Sequence, residues 1–254
     1  MTSGEIPTRI ILGVPIAVLR LKEIASVVVK LIESSGKKKT FFYVNAHCIN
    51  IAGKDPDYKK ILQRATLVYA DGMGPILASK ILGKPLSERT SAPDFISEVF
   101  SIAETKKWSF YLLGNEDNVV RKAAGNIKKR FPMLIITGYQ NGFFTDNVQV
   151  IEDINRVNPD IILVGMGTPR QEKWIADNID KVNAKTFWAV GGLFDFISGK
   201  RKRAPKWIQS LGFEWIFRLV QEPRRLWKRY FFGNIAFLLS VFRERESFSR
   251  KTNR

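Results

Sequence analysis

Ile161-Ile-Leu-Val-Gly-Met-Gly-Thr-Pro-Arg-Gln-Glu172 decides how this chain folds. A short apolar run rich in β-branched residues ends in glycine, and a polar segment with Gln171 in the first turn of a helix follows. Five more strand candidates repeat the pattern, at residues 40–45, 67–70, 109–113, 134–137 and 186–190. Longer amphipathic stretches separate them. This alternation predicts an α/β fold, Rossmann-like, with a largely parallel sheet flanked by helices.

In open α/β sheets ligands bind beyond the carboxyl ends of the strands, so the strand-to-helix junctions are the candidate site. They are Asn45-Ala-His47, Asp71-Gly-Met-Gly74, Gly114-Asn-Glu116, Gly165-Met-Gly-Thr-Pro169 and Gly191-Gly192. Asp71 stands at the mouth of the sheet beside glycine backbone that a substrate can approach, which suits a general base. It is equally placed to be a turn residue. His47, the single histidine, is either a base or a structural hydrogen-bonder at a helix start. Arg89, in Ser87-Glu-Arg-Thr-Ser91, is a solvated charge or a fork for a diphosphate. Gln171 either faces a ligand or caps its helix.

Neither GxGxxG nor GxxxxGK occurs, so a nucleotide would have to be held by helix N-termini and backbone N–H groups. Asp55-Pro-Asp57 has the spacing of a metal-binding D-x-D pair, but an aspartate followed by proline and a helical run reads as an N-cap. No metal is expected. With one cysteine, Cys48, there is no internal disulfide, and one histidine gives no clustered zinc ligands.

The 254 residues are 45% hydrophobic, enough to bury one sizeable core, and carry a formal charge of +17. Residues 200–254 hold 15 Lys/Arg against 4 Asp/Glu, so +11 of that charge sits in the last fifth. The reading is a body over residues 1–199 and a basic helical appendage over 200–254, in two segments broken at Pro223. Arg218, Arg225 and Arg229 are spaced to share one face. Trp215, Trp227, Tyr230, Phe231 and Phe232 are interleaved with them, the composition of a helix lying in a lipid headgroup region. The alternative is a core-packing helix with a solvated basic face. No run is long enough to span a bilayer, and residues 10–19 lack the features of a signal peptide. A cytoplasmic protein is expected.

Several stretches together resemble the WecG/TagA/CpsF glycosyltransferase family in order and spacing. They are Gly165-Met-Gly-Thr-Pro-Arg-Gln-Glu172, Gly191-Gly-Leu-Phe-Asp-Phe196, Arg203-Ala-Pro205, Gly212-Phe-Glu-Trp215, Arg218-Leu219 and Glu222-Pro-Arg-Arg-Leu-Trp-Lys-Arg-Tyr230. Asn45-Ala-His47, Asp71-Gly-Met-Gly74 and Glu88-Arg89 fit upstream, so the resemblance covers about residues 9–240. It implies inverting, metal-independent transfer of an N-acetylmannosamine-type or related hexose from a UDP-sugar to a polyprenyl-diphosphate-linked sugar. The products would be cell-envelope polysaccharide or teichoic acid.

The resemblance also implies roles. Asp71 is the general base, Gln171 contacts the reacting sugar and Arg89 positions substrate. Arg218, Arg225 and Arg229 bind diphosphate. Asn45, Gly72, Gly191, Gly192 and Asp195 line the substrate site. No cofactor is implied beyond the UDP-sugar co-substrate. The implied partners are that donor, the lipid-linked acceptor and an anionic membrane on the inner face of the plasma membrane, with room for a homo-oligomer and no nucleic acid. The family commonly has Thr-x-Asn where this chain has Tyr43-Val-Asn45, and a glycine in the loop after Arg89 where it has Thr90-Ser-Ala-Pro-Asp94. Two rival readings are a basic nucleic-acid-binding protein and a glycoside hydrolase using Asp71 and Asp195.

Overall fold

A computed structural model describes residues 6–210 and 212–252. Its main sheet has six strands: β3 (Lys39–Val44), β4 (Leu67–Ala70), β5 (Ser109–Gly114), β6 (Ile135–Gln140), β7 (Ile161–Gly165) and β8 (Thr186–Ala189). Their order is β4-β3-β8-β7-β5-β6. The pairings β3–β8, β8–β7, β7–β5 and β5–β6 are parallel. β4, β7 and β8 are buried along their whole length, which is why β4 and β7 read as apolar runs without alternation. The α/β, Rossmann-like expectation holds.

β6 runs three residues further than its apolar signal, to Gln140. The pairing with β5 shifts register between Phe110 and Tyr111. Gly138 makes the continuation feasible, because a Cβ there would lie 2.7 Å from the Tyr111 ring.

The chain folds as two compact units. One comprises residues 21–42 and 92–202, and the other residues 1–20, 43–91 and 203–254. In the first, Trp188 of β8 is fully buried, with Phe95 stacked at 5.7 Å and Phe41 edge-on at 5.8 Å. Such aromatic contacts add to the burial of large apolar area. The strand starts are tied by Asp160, whose carboxylate accepts from the Ser109 backbone N–H and hydroxyl and from Lys185.

The second unit opens with a hairpin absent from the sequence reading, β1 (Thr8–Ile11) and β2 (Val14–Ala17), paired antiparallel. Its two-residue turn, Leu12-Gly13, has positive φ at both positions, the geometry that matches strand twist. Next come α2 (Ala46–Ala52), α3 (Pro56–Arg64) and α4 (Met73–Ile81). Asp55 caps α3, its side chain accepting from the Tyr58 N–H at 3.0 Å, with Pro56 in the first position. The capping reading of Asp55-Pro-Asp57 is the observed one.

Residues 203–254 belong to this same unit, and their described residues form three helices where two were expected: α10 (Lys206–Ser210), α11 (Glu214–Gln221) and α12 (Pro223–Thr252). Pro223 starts α12, where its missing N–H costs nothing. The extra break falls at Gly212, whose φ of 78° ends α10. α12 packs on α2 and α4. Leu226, Phe237 and Val241 are buried there, and Asn50 of α2 donates to the Gly233 carbonyl at 2.7 Å.

Candidate active site

In the unit built around β4, that strand delivers Asp71 half-buried just past its carboxyl end, with the Asp71 N–H bonded to the Val44 carbonyl at 2.8 Å. Gly72 follows with φ of 80° and nothing within 4 Å of where a Cβ would stand, so the backbone beside the carboxylate is open to a ligand. Gly74 is different: a Cβ there would come within 2.9 Å of the Ala46 side chain, so it is needed for the packing of α4 on α2.

The Arg89 loop is fastened next to Asp71. Both the N–H (2.7 Å) and the hydroxyl (3.2 Å) of Thr90 donate to the carbonyl of Ala70, the residue before Asp71. Arg89 donates to Glu214 at 3.4 Å and to Gln209 at 3.3 Å. Arg203 reaches the same two side chains.

Arg218 completes the group. Burial works against its charge, but Tyr230, Asp71, Tyr43 and Glu214 together hold its pKa above the ordinary arginine value. Tyr43, the departure from the family's threonine, is thus an electrostatic neighbour of Arg218. Arg229 lies over the Tyr230 ring at 5.9 Å. Arg225 is on α12, and its side chain lies outside the described residues.

Asn45 caps α2, its side-chain oxygen accepting from the His47 and Cys48 N–H groups at 3.0 and 3.2 Å. That oxygen therefore has a structural use. Burial, with the Arg229 charge adding to it, lowers the pKa of His47 to about 4. Near neutral pH this imidazole is unprotonated, and Asp71 is the better-placed base in this unit because it stands beside the open Gly72 backbone and the Arg89 loop.

In the other unit, α8 (Arg170–Asn178) follows β7 and holds Gln171 fully buried. Its amide oxygen accepts from the Gly191 N–H at 3.0 Å, and its nitrogen donates to Glu172 at 2.9 Å and approaches the Thr168 hydroxyl at 3.4 Å. The Gln171 amide thus ties residue 168 to the Gly191-Gly192 turn.

Asp195, in α9 (Leu193–Ile197), is 4% exposed and accepts from Asn115 and Arg201, both at 2.9 Å. A carboxylate so placed is poorly available to activate water, which removes support from the paired-carboxylate hydrolase. Gly165 is forced by packing, since a Cβ there would stand 2.8 Å from Phe194.

Glu172 went unnoticed in the sequence, although it shares a buried helix face with Ile175. One carboxylate oxygen accepts from Thr168 and Gln171, and the other is buried without a hydrogen-bond partner. Burial pushes its pKa up to about 7, against the hydrogen bonds from Gln171, its own N–H and Thr168, which favour the ionised form.

Because the folded-state pKa lies above the unfolded value of 4.5, this group's stability contribution is full below about pH 4.5. It is lost as pH rises toward about 7. At about 1.4 kcal/mol per pH unit, the loss is on the order of 3 kcal/mol. Glu172→Gln is therefore expected to melt several degrees above wild type at pH 8, with the gap closing toward pH 4.5. Thermal denaturation across that range checks it, and a gap independent of pH refutes it.

Among the described residues, no three His, Cys, Asp or Glu side chains gather into a group able to hold a metal ion.

A parallel α/β sheet whose strand end carries an accessible carboxylate beside grouped arginines has the architecture of a group-transfer enzyme. The chain belongs to the glycosyl transferase WecG/TagA/CpsF family, whose family model matches residues 9–251, and it is accordingly a glycosyltransferase. It is 34% identical to a Bacillus subtilis strain 168 protein over 186 residues, covering 73% of this chain and 72% of the relative. A Bacillus spizizenii relative is 32% identical over 70% of this chain and 69% of its own length. One from Staphylococcus aureus strain MW2 is 30% identical over 72% of each. All three are named N-acetylglucosaminyldiphosphoundecaprenol N-acetyl-beta-D-mannosaminyltransferase.

Proposed function

We propose that this enzyme transfers an N-acetylmannosamine-type or related hexose from a UDP-sugar to a polyprenyl-diphosphate-linked sugar, with inversion and without a metal ion. The setting is cell-envelope polysaccharide or teichoic acid synthesis at the inner face of the plasma membrane. The observation that carries the reading is the grouping of Asp71 with Arg89 and Arg218, in a chain whose relatives are named for sugar transfer to a lipid diphosphate.

Asp71 removes the proton of the acceptor hydroxyl as its oxygen bonds to the anomeric carbon. The bond from that carbon to the UDP oxygen breaks on the opposite face, and UDP leaves with the bonding pair. Arginines aimed at the substrate diphosphate stabilise that charge without a metal. Gln171 acts as a positioning residue, holding the Gly191-Gly192 turn through its amide oxygen.

The test is UDP release from a panel of UDP-hexoses with an N-acetylglucosaminyl diphosphate lipid as acceptor. Release is expected with one or few donors, only when acceptor is present, and undiminished by EDTA. Silence across the panel refutes the transfer reaction. Loss with EDTA that Mg²⁺ or Mn²⁺ restores refutes metal independence.

A further inference from the structure

Arg89 and Arg203 come from segments more than a hundred residues apart, yet converge on one carboxylate. Glu214 Oε2 accepts from Arg89 Nη1 and from Arg203 Nη2, each at 3.4 Å, and Glu214 Oε1 lies 3.5 Å from Arg203 Nη2. Gln209 Oε1 accepts from both arginines, at 3.3 and 3.0 Å. Well-made guanidinium–carboxylate contacts are about 2.7–2.9 Å and often bidentate. One carboxylate stretched between two forks meets neither condition.

Arg218 also feels Glu214, beside Asp71, so one carboxylate is shared electrostatically by three guanidinium groups. α11 carries Glu214 in its first turn, and the Glu214 side chain is only 21% exposed, so its carboxylate sits among the guanidinium groups and not in solvent.

We propose that Arg203, with Arg89 and Arg218, forms a diphosphate seat for which Glu214 is an internal competitor. This rests on the reading of the enzyme as one acting on diphosphate substrates. Glu214 keeps the guanidinium groups from repelling one another and so holds the seat in shape. A ligand with at least two negative charges and several acceptor oxygens displaces it, because it satisfies more donors than one carboxylate does. The seat adjoins Asp71 through the Thr90–Ala70 bonds, so filling it sets a substrate beside the base.

The test is binding of inorganic pyrophosphate to the full-length protein by calorimetry, with thermal shift as a second reading. Glu214→Gln is expected to tighten pyrophosphate about tenfold and to enlarge the ligand-induced rise in melting temperature. Adding Arg203→Lys, which keeps the charge and loses the fork, is expected to remove most of that gain. Pyrophosphate binding no tighter in Glu214→Gln than in wild type overturns the competitor. A gain surviving both Arg203→Lys and Arg203→Gln overturns the role of Arg203.

Competition with UDP or with geranyl diphosphate assigns the seat to donor or acceptor, and displacement by neither overturns it. Sugar transfer without the pyrophosphate gain sinks the seat alone. The gain without sugar transfer leaves the seat standing and sinks the transfer reading.

Discussion

Asp71→Asn is expected to lower sugar transfer by roughly 10²–10⁴-fold, the usual contribution of a positioned general base. The substitution keeps size and polarity, and the fixed contact at this position is the backbone bond from the Asp71 N–H to Val44. Neither the end of β4 nor the Arg89 loop depends on the carboxylate, since that loop is fastened to Ala70. The carboxylate does support the Arg218 charge, so the melting temperature should fall slightly, by about a few degrees at most. Binding of donor should survive, and the fall should appear in kcat. Single-turnover rates with saturating donor and acceptor check this. Retention of full turnover would remove Asp71 as the base.

The strand ends were legible because each buried strand announces itself as an apolar run closed by Asp, Asn or Gly. β4 and β7 begin and end where the sequence puts them. The hairpin was not legible: its strands are four residues each, Pro15 interrupts the second, and one of its two positive-φ turn residues is a leucine. Asp71 could be placed from sequence because its position follows from one strand alone.

The use made of Gln171 could not, since its amide oxygen is committed to Gly191, twenty residues on and at another strand's end. Arg203 and Glu214 were likewise hidden. The basic run of residues 200–203 does not single out Arg203 until the chain brings Arg89 to the same carboxylate. Helical spacing had marked the tail as amphipathic. The structure adds that one α12 stripe is buried within its own unit while another is exposed.

That exposed stripe gives the second large expectation: replacing Phe231 and Phe232 together by serine should reduce binding to anionic vesicles by roughly 10²-fold or more. Trp227, Phe231, Ile235 and Leu239 recur every four residues on α12, and all are between 45% and 62% exposed. Phe232 packs with Phe231 at 5.2 Å and Trp227 at 6.0 Å, so the aromatic rings form one contiguous exposed cluster. Apolar patches of that kind mark surfaces that meet a partner or a membrane. The basic residues nearby favour an anionic membrane, with Lys228 over the Trp227 ring and Arg229 over Tyr230.

No helix among the described residues is long and apolar enough to cross a bilayer, so the binding expected through this face is interfacial. Each phenyl ring transferred from water contributes roughly 1.5–3 kcal/mol, and each basic side chain about 1 kcal/mol near an anionic leaflet. The serine variant should therefore lose most of its salt-resistant binding and keep a remainder that disappears as ionic strength rises. Phe237→Ser supplies the contrast: Phe237 is 2% exposed against the enzyme's own helices, so its loss should lower the melting temperature. Vesicle co-sedimentation at two salt concentrations separates the cases. Unchanged sedimentation of the Phe231/Phe232 variant would show that this stripe is not the membrane contact.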